Sequence, residues 1–309
     1  MRVASFFAGI GGICYGFEQA GFEIVFANEL DKNACKNYRK NHPNVFLIED
    51  DIKNIDTQKI PDFDVFTGGF PCQPYSLAGN KEGLADVRGT VFFDIIRILK
   101  DKKPSCFLLE NVKNIKNTNK GKDFKVILDL LENCGYALKH EVLGGHTHAG
   151  IPQCRERMFI VGSLDHEKIK NFNFPNEISL DKKINDIIKR SDKKLDKYYY
   201  TPKSQYYNMM DQAIVNENIY QMRRVYMREN KGGVCPTLTA NMGGGGHNVP
   251  VIRDDFGIRK LTPQECLLFQ GFPDTYETIT SDVHSYKQAG NAVVVPLIKR
   301  IAIEMKEKL

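Results

Sequence analysis

The sequence predicts an α/β fold: a mostly parallel sheet covered on both faces, joined to a smaller and less regular domain. Three observations predict it. Strand-length apolar runs alternate with segments of helical spacing through the first half. A glycine-rich turn joins the first strand to the first helix. Beyond Leu164 the texture changes to lysine clusters and glycine-rich loops.

The elements follow in order. Arg2–Phe7 reads as a short buried strand, 9–12 as a turn, and 13–20 as a helix stopped by Gly21. Segments 23–28 and 45–48 read as strands flanking a polar-faced helix at 32–40. A fourth strand is expected at 64–67, a helix at 91–99 and an apolar strand at 105–109. Phe124, Ile127, Leu128 and Leu131 recur at i, i+3, i+4 and i+7, a helix closed by Gly135. Segments 136–143 and 158–162 read as two more strands, and 292–308 returns to helical texture. Strands separated by helices argue for parallel pairing.

Composition narrows the classes. The 309 residues are 42% hydrophobic and 26% charged, so a mainly disordered, collagen-like or coiled-coil chain is excluded. The net charge is +5, and all of it lies in one stretch. Residues 165–260 hold 17 Lys/Arg against 12 Asp/Glu, while the remainder is balanced at 26 of each. A basic module of this kind suits a polyanion. Eight cysteines stand at least 20 residues apart with no CxxC, which argues against a zinc ribbon or a redox pair. His146 and His148 have no acid or Cys at ligand spacing, so no metal is expected. No secretory segment and no membrane-length apolar run is read, and a reducing cytoplasm is the expected home.

Four constellations carry chemistry. Phe7-Ala8-Gly9-Ile10-Gly11-Gly12 lies between strand and helix, where glycines let backbone approach a ligand at a helix N-terminus. Glu29 ends the second strand, 20 residues beyond Gly9, where a carboxylate reaches ribose hydroxyls. Asp51 follows the third strand and suits an adenine amine. The spacing is not GxGxxG, and a plain βα turn with solvated acids is the competing reading. Gly68-Gly69-Phe70-Pro71-Cys72-Gln73-Pro74-Tyr75-Ser76 follows the fourth strand, and its prolines stiffen the backbone around the Cys72 thiol. Glu110-Asn111-Val112 closes the 105–109 strand with a possible general acid. In Gln153-Cys154-Arg155-Glu156-Arg157, two arginines two apart on an extended segment point the same way and suit an anionic oxygen. A solvated turn and a surface ion-pair strip compete with these last two readings.

Together these motifs resemble the bacterial cytosine-C5 DNA methyltransferases of restriction–modification type. Gly83–Ile95, Arg259–Cys266 with Phe269–Pro273, and Gln288–Pro296 match further motifs, in family order. One departure is Ser5, where the family usually has Asp; another is Ala292, where Ser is common. The resemblance implies a Rossmann-like, S-adenosylmethionine-dependent methyltransferase sheet over 1–164, completed by 287–309, with a DNA target-recognition domain over 165–286.

It also implies roles. Cys72 would attack carbon 6 of cytosine, Glu110 would hold ring N3, and Arg157, supported by Arg155, would contact O2. Phe7, Ala8, Gly9, Gly11, Gly12, Glu29, Leu30, Asp51, Ile52, Phe70, Pro71, Asn291 and Ala292 would bind S-adenosylmethionine. A base in a duplex presents only its edge, so the target cytosine would be flipped out. Ser76 and the loop through Arg88 would close over it. Thr237, in a segment (235–240, CPTLTA) similar to the family's TL motif, would touch the DNA backbone, with Arg223, Arg224 and Arg228 as phosphate or guanine contacts. For these arginines a solvated helical face is the competing reading. The expected partner is double-stranded DNA, with a monomeric enzyme and a cognate restriction endonuclease in the same cell. An RNA methyltransferase on the same fold is the main alternative. A non-catalytic DNA-binding relative would be expected to lose Cys72, Glu110 or Arg157, and a thiol hydrolase needs a histidine base near Cys72.

Overall fold

The computed structural model describes residues 1–70, 91–223, 225–244 and 248–309. The predicted site residues Pro71, Cys72, Ser76, Arg88 and Arg224 lie outside them. The chain forms two compact units. The first comprises Met1–Leu143, Glu156–Asn176 and Ile298–Leu309; the second comprises Gly144–Arg155 and Glu177–Leu297.

The first unit is built on strands β1 (Arg2–Phe6), β2 (Glu23–Glu29), β3 (Phe46–Glu49), β4 (Val65–Gly69), β5 (Cys106–Val112) and β6 (Ala137–Gly144). The two-residue β7 (Gln153–Cys154) belongs to the second unit, and β8 (Glu156–Ser163) returns to the first. The seven-stranded sheet has the order β3-β2-β1-β4-β5-β8-β6. β1 runs parallel to both β2 and β4, and β4 parallel to β5. β8 runs antiparallel to β5, a reversal the alternating pattern did not reveal. Strand order changes direction between β1 and β4, and ligands of open α/β sheets bind outside the carboxyl ends of the strands at such a point.

Helices α1 (Gly12–Gln19), α2 (Lys32–Asn41), α3 (Val91–Lys102) and α4 (Lys122–Glu132) follow the sequence expectation closely. α1 ends where Gly21 takes φ +80°, and α2 begins where Asp31 accepts bonds from the amides of Asn33 and Ala34. Phe6, Phe26, Phe66 and Phe107 of the sheet share one core with Phe92, Ile95 and Leu99 of α3 and Phe124, Ile127 and Leu131 of α4. The rings of Phe6 and Phe66 stack with centroids 4.6 Å apart. α1 meets the C-terminal helix (Val295–Lys308) at Gly16, where a Cβ would stand 2.5 Å from Ile298 Cβ.

The second unit contains a sheet that the sequence did not predict. β9 (Ile219–Met222), β10 (Met227–Asn230), β12 (Val251–Asp254) and β13 (Gly257–Lys260) pair antiparallel in the order β10-β9-β12-β13. Between them, β11 (Cys235–Pro236) pairs parallel with β7. Each of the four strands is only four residues long, and β10 reads Met-Arg-Glu-Asn, so no apolar period announces it. Arg223 and Arg228 therefore sit on a hairpin, not a helical face; the Arg223 amide donates to Tyr226 O at 2.8 Å. Met210, Ile214, Tyr220, Met222, Val251 and Ile258 form this sheet's core.

The fully buried Arg259 ties the sheet to the helix Pro263–Leu268. Its Nε lies 2.5 Å from Asp254 Oδ2, and its two terminal nitrogens each lie 2.8 Å from a Glu265 oxygen. Glu265 also accepts from the Thr262 amide, closing a capping box. A buried guanidinium of this kind is tolerable only because both carboxylates face it.

Candidate active site

The glycine loop leaves β1 with Phe7 at φ +53°, Gly9 at +56° and Gly11 at +84°. At Gly9 a Cβ would meet nothing closer than 4.0 Å, so that side of the loop is open. Gly11 precedes α1 with no side-chain cap, which leaves the first amides of α1 for an anionic ligand group. Beneath the loop, a Gly11 Cβ would stand 2.2 Å from the buried His42 Nε2. His42 lies against Tyr38 and Tyr15 and reaches Glu18 Oε1 at 3.2 Å. Nothing in the sequence singled His42 out.

Glu29 braces this loop. Its Oε2 accepts from the Gly9 amide at 2.8 Å; its Oε1 accepts from Leu30 at 2.9 Å and Asp31 at 2.7 Å. Three of about four acceptor positions are used, which leaves one for a hydroxyl. Leu30 beside it is 64% exposed, an apolar surface at the carboxyl end of β2. Asp51 caps the turn Ile52–Asn54, and its bond from the Lys53 amide holds its carboxyl below the ordinary value. Ile52 and Phe70 are buried. An open glycine loop, an uncapped helix start, one free carboxylate position and an exposed apolar platform fit a nucleoside-bearing amino acid such as S-adenosylmethionine. Asn291 and Ala292 belong to the second unit, at the end of the helix Asp282–Asn291.

Glu110 and Arg157 are brought together. Both project at the β5–β8 pairing, with Arg157 Nε 3.0 Å from Glu110 Oε1 and the side chains 15% and 12% exposed. Glu110 also borders the end of β4, since a Cβ on Gly69 would lie 3.1 Å from Glu110 Oε2. The next residue, Asn111, donates to Phe70 O at 3.0 Å and so holds the chain just ahead of Pro71. Asn111 was part of the motif seen in the sequence, but its positioning role is visible only here.

Arg155 lies in the second unit, 2% exposed, and donates to Leu238 O at 2.8 Å. Its own amide donates to Gln153 O at 2.9 Å, between the strands β7 and β8. The Thr237 hydroxyl donates to Cys154 O. Thr237, Thr239, Arg223, Arg228 and Asn241 line a cleft of about 490 Å³ in this unit.

The family-level comparison decides the assignment. The model of the family described as C-5 cytosine-specific DNA methylase matches residues 1–307. The chain belongs to the C-5 cytosine-specific DNA methylases. It is a DNA cytosine-5 methyltransferase. Among its relatives, the type II methyltransferase M.Bsp6I of Bacillus sp. (strain RFL6) is 51% identical over 307 residues, 98% of this chain and 97% of that one. The type II methyltransferase M.NlaX of Neisseria lactamica is 39% identical over 310 residues, 100% of this chain and 97% of that one. The methylase fold is also seen in the S. pombe Dnmt2 methyltransferase, with a TM-score of 0.75 at 20% identity, covering 99% of both chains. A putative DNA modification methyltransferase encoded within an E. coli prophage gives 0.75 at 18%, covering 100% of this chain and 99% of that one. The family match and the type II relatives favour DNA over the RNA alternative. Among the described residues no cluster of three His, Cys, Asp or Glu could hold a metal, and no helix is long and apolar enough to cross a membrane.

Proposed function

We propose that this methylase modifies carbon 5 of a cytosine flipped out of a specific short double-stranded DNA sequence, through a covalent adduct on Cys72, as the modification enzyme of a restriction–modification system. The observation that carries the reading is the Glu110–Arg157 pair beside Gly69, with Asn111 holding Phe70 O immediately before the nucleophile segment.

The residues divide the chemistry. Carbon 5 of cytosine is a weak nucleophile. Addition of the Cys72 thiolate to carbon 6 moves an electron pair onto carbon 5 and makes it reactive. Glu110 holds ring N3 as that charge develops, and Arg157 faces O2. S-adenosylmethionine supplies the electrophilic methyl group, and Phe7, Ala8, Gly9, Gly11, Gly12, Glu29, Leu30, Asp51, Ile52, Phe70, Pro71, Asn291 and Ala292 would hold it. Loss of the carbon-5 proton then re-forms the ring double bond and expels the thiolate. Ser76 and Arg88 would close the loop over the base. Recognition falls within 165–286, with Arg223, Arg224, Arg228 and Thr237 on the DNA, and catalysis within 1–164 completed by 287–309. Bisulfite sequencing of DNA from a host expressing the protein tests this directly. Protected cytosines at one short sequence, lost in Cys72→Ala while DNA binding remains, are the expected outcome. Modification at a near wild-type level by Cys72→Ala would overturn the mechanism.

A further inference from the structure

We infer that Arg155 is a positioning residue for DNA recognition: it holds the Thr237–Thr239 segment through the Leu238 carbonyl and does not touch the reacting base. The inference rests on the reading that this segment meets DNA.

Two side chains from β7 and the residue after it grip a single residue. Arg155 donates to Leu238 O at 2.8 Å, and Gln153 Oε1 accepts from the Leu238 amide at 3.2 Å. Both backbone groups of Leu238 are thus occupied, and Leu238 is itself 1% exposed. The Thr237 hydroxyl bonds Cys154 O, and the Cys235 amide donates to Pro152 O at 2.7 Å. Held on both sides, the segment has little freedom to rotate.

The grip extends further. The buried Gln153 amide donates to Phe269 O at 2.6 Å and to Gln270 Oε1 at 3.1 Å. Gln270, also buried, donates onward to Ala289 O at 2.8 Å. At Gly290 the backbone of Thr239 comes so close that a Cβ would stand 2.1 Å from its carbonyl carbon. Four sequence motifs therefore meet in one buried polar network: 153–155, 237–240, 269–270 and 289–290. What they leave facing the cleft is Thr237 and Thr239, beside Arg223 and Arg228.

Turning Nη1 of Arg155 toward a base would break its bond to Leu238 O and leave a buried carbonyl without that donor. Only Glu156 separates Arg155 from Arg157 in the chain. The segment 153–155 that fixes the recognition segment is thus covalently adjacent to the strand that bears Arg157. Neighbouring arginines of one motif serve different steps.

The test compares Arg155→Lys with Arg157→Lys in the full-length enzyme, using duplex DNA carrying the modified site. Lysine keeps the charge and loses the planar fork that matches a carbonyl. For Arg155→Lys, KM and Kd for DNA should rise about ten-fold or more, with kcat at saturating DNA within about three-fold of wild type and S-adenosylmethionine affinity unchanged. For Arg157→Lys the loss should fall on kcat. In a double-mutant cycle with Thr237→Ala, the two losses of DNA affinity should combine to less than their product, because they act through one segment. A large fall in kcat for Arg155→Lys with unchanged DNA affinity would overturn the inference, as would fully multiplicative losses in the cycle. Failure of the wild-type enzyme to bind duplex DNA would instead overturn the reading of the segment on which the inference rests.

Discussion

Replacing Gly290 with alanine probes a close backbone approach in the second unit. The added Cβ would lie 2.1 Å from Thr239 C, 2.2 Å from Thr239 O and 2.4 Å from the Ala240 amide. All three are backbone atoms, so no side-chain rotation relieves the clash. Restoring an ordinary contact of 3.4 Å from 2.1 Å moves the Thr237–Ala240 backbone or its helix by 1.3 Å. Overpacking of this sort costs about 1–3 kcal/mol. The melting temperature should therefore fall by roughly 2–12 °C at about 2–4 °C per kcal/mol. A misplacement near 1 Å costs on the order of 10²-fold in rate, or ~2.7 kcal/mol in the barrier. Methyl transfer at sub-saturating DNA should fall by that amount. Gly243→Ala is the milder comparison, since its nearest atoms, Lys287 Cβ and Val283 O, would lie at 2.9 Å. Wild-type melting and wild-type kcat/KM for DNA in Gly290→Ala would refute the reasoning.

Other outcomes follow from the same geometry. Glu29→Gln replaces one acceptor oxygen by a donor, so at least one of the Gly9, Leu30 and Asp31 amides loses its partner; calorimetry should show S-adenosylmethionine affinity reduced by about 1–3 kcal/mol, and unchanged affinity would contradict the bracing role. Burial pushes the Cys14 thiol up to about 11 and the Cys35 and Cys106 thiols up to about 12, so these stay protonated at pH 8 and resist alkylation. Among the described cysteines the exposed Cys154 should label first, and peptide mass spectrometry showing early modification of Cys14 would argue against the buried site. Arg228→Gln should lower the slope of log affinity against log salt by about 0.9 if Arg228 neutralises one phosphate; an unchanged slope removes it from the DNA surface.

The first unit was legible because its signals are local. The glycines after β1, Gly21 at the end of α1 and the spacing of Phe124, Ile127 and Leu131 each act over a few residues, and each appears where expected. Glu110 and Arg157 were legible one at a time, but their pairing depends on the antiparallel β5–β8 register, which no local pattern encodes. The four-stranded sheet of the second unit was illegible for a related reason: its strands are four residues long, and long-range pairing carries the stability that periodicity would otherwise signal. Arg155 shows the limit most clearly. Its bond to Leu238 O joins residues 83 apart in the chain, and the i, i+2 spacing from Arg157 encodes nothing of that contact.

Covalent trapping tests the central claim most directly. Duplex DNA with 5-fluorocytosine at the target position is incubated with the enzyme and S-adenosylmethionine, and the product is digested and mapped by mass spectrometry. Fluorine at carbon 5 cannot leave as the proton does, so the final elimination is blocked. The account predicts a stable adduct on the Cys72 peptide that carries the transferred methyl group. An enzyme that methylates ordinary cytosine DNA yet forms no adduct, or forms one at another residue, would contradict it.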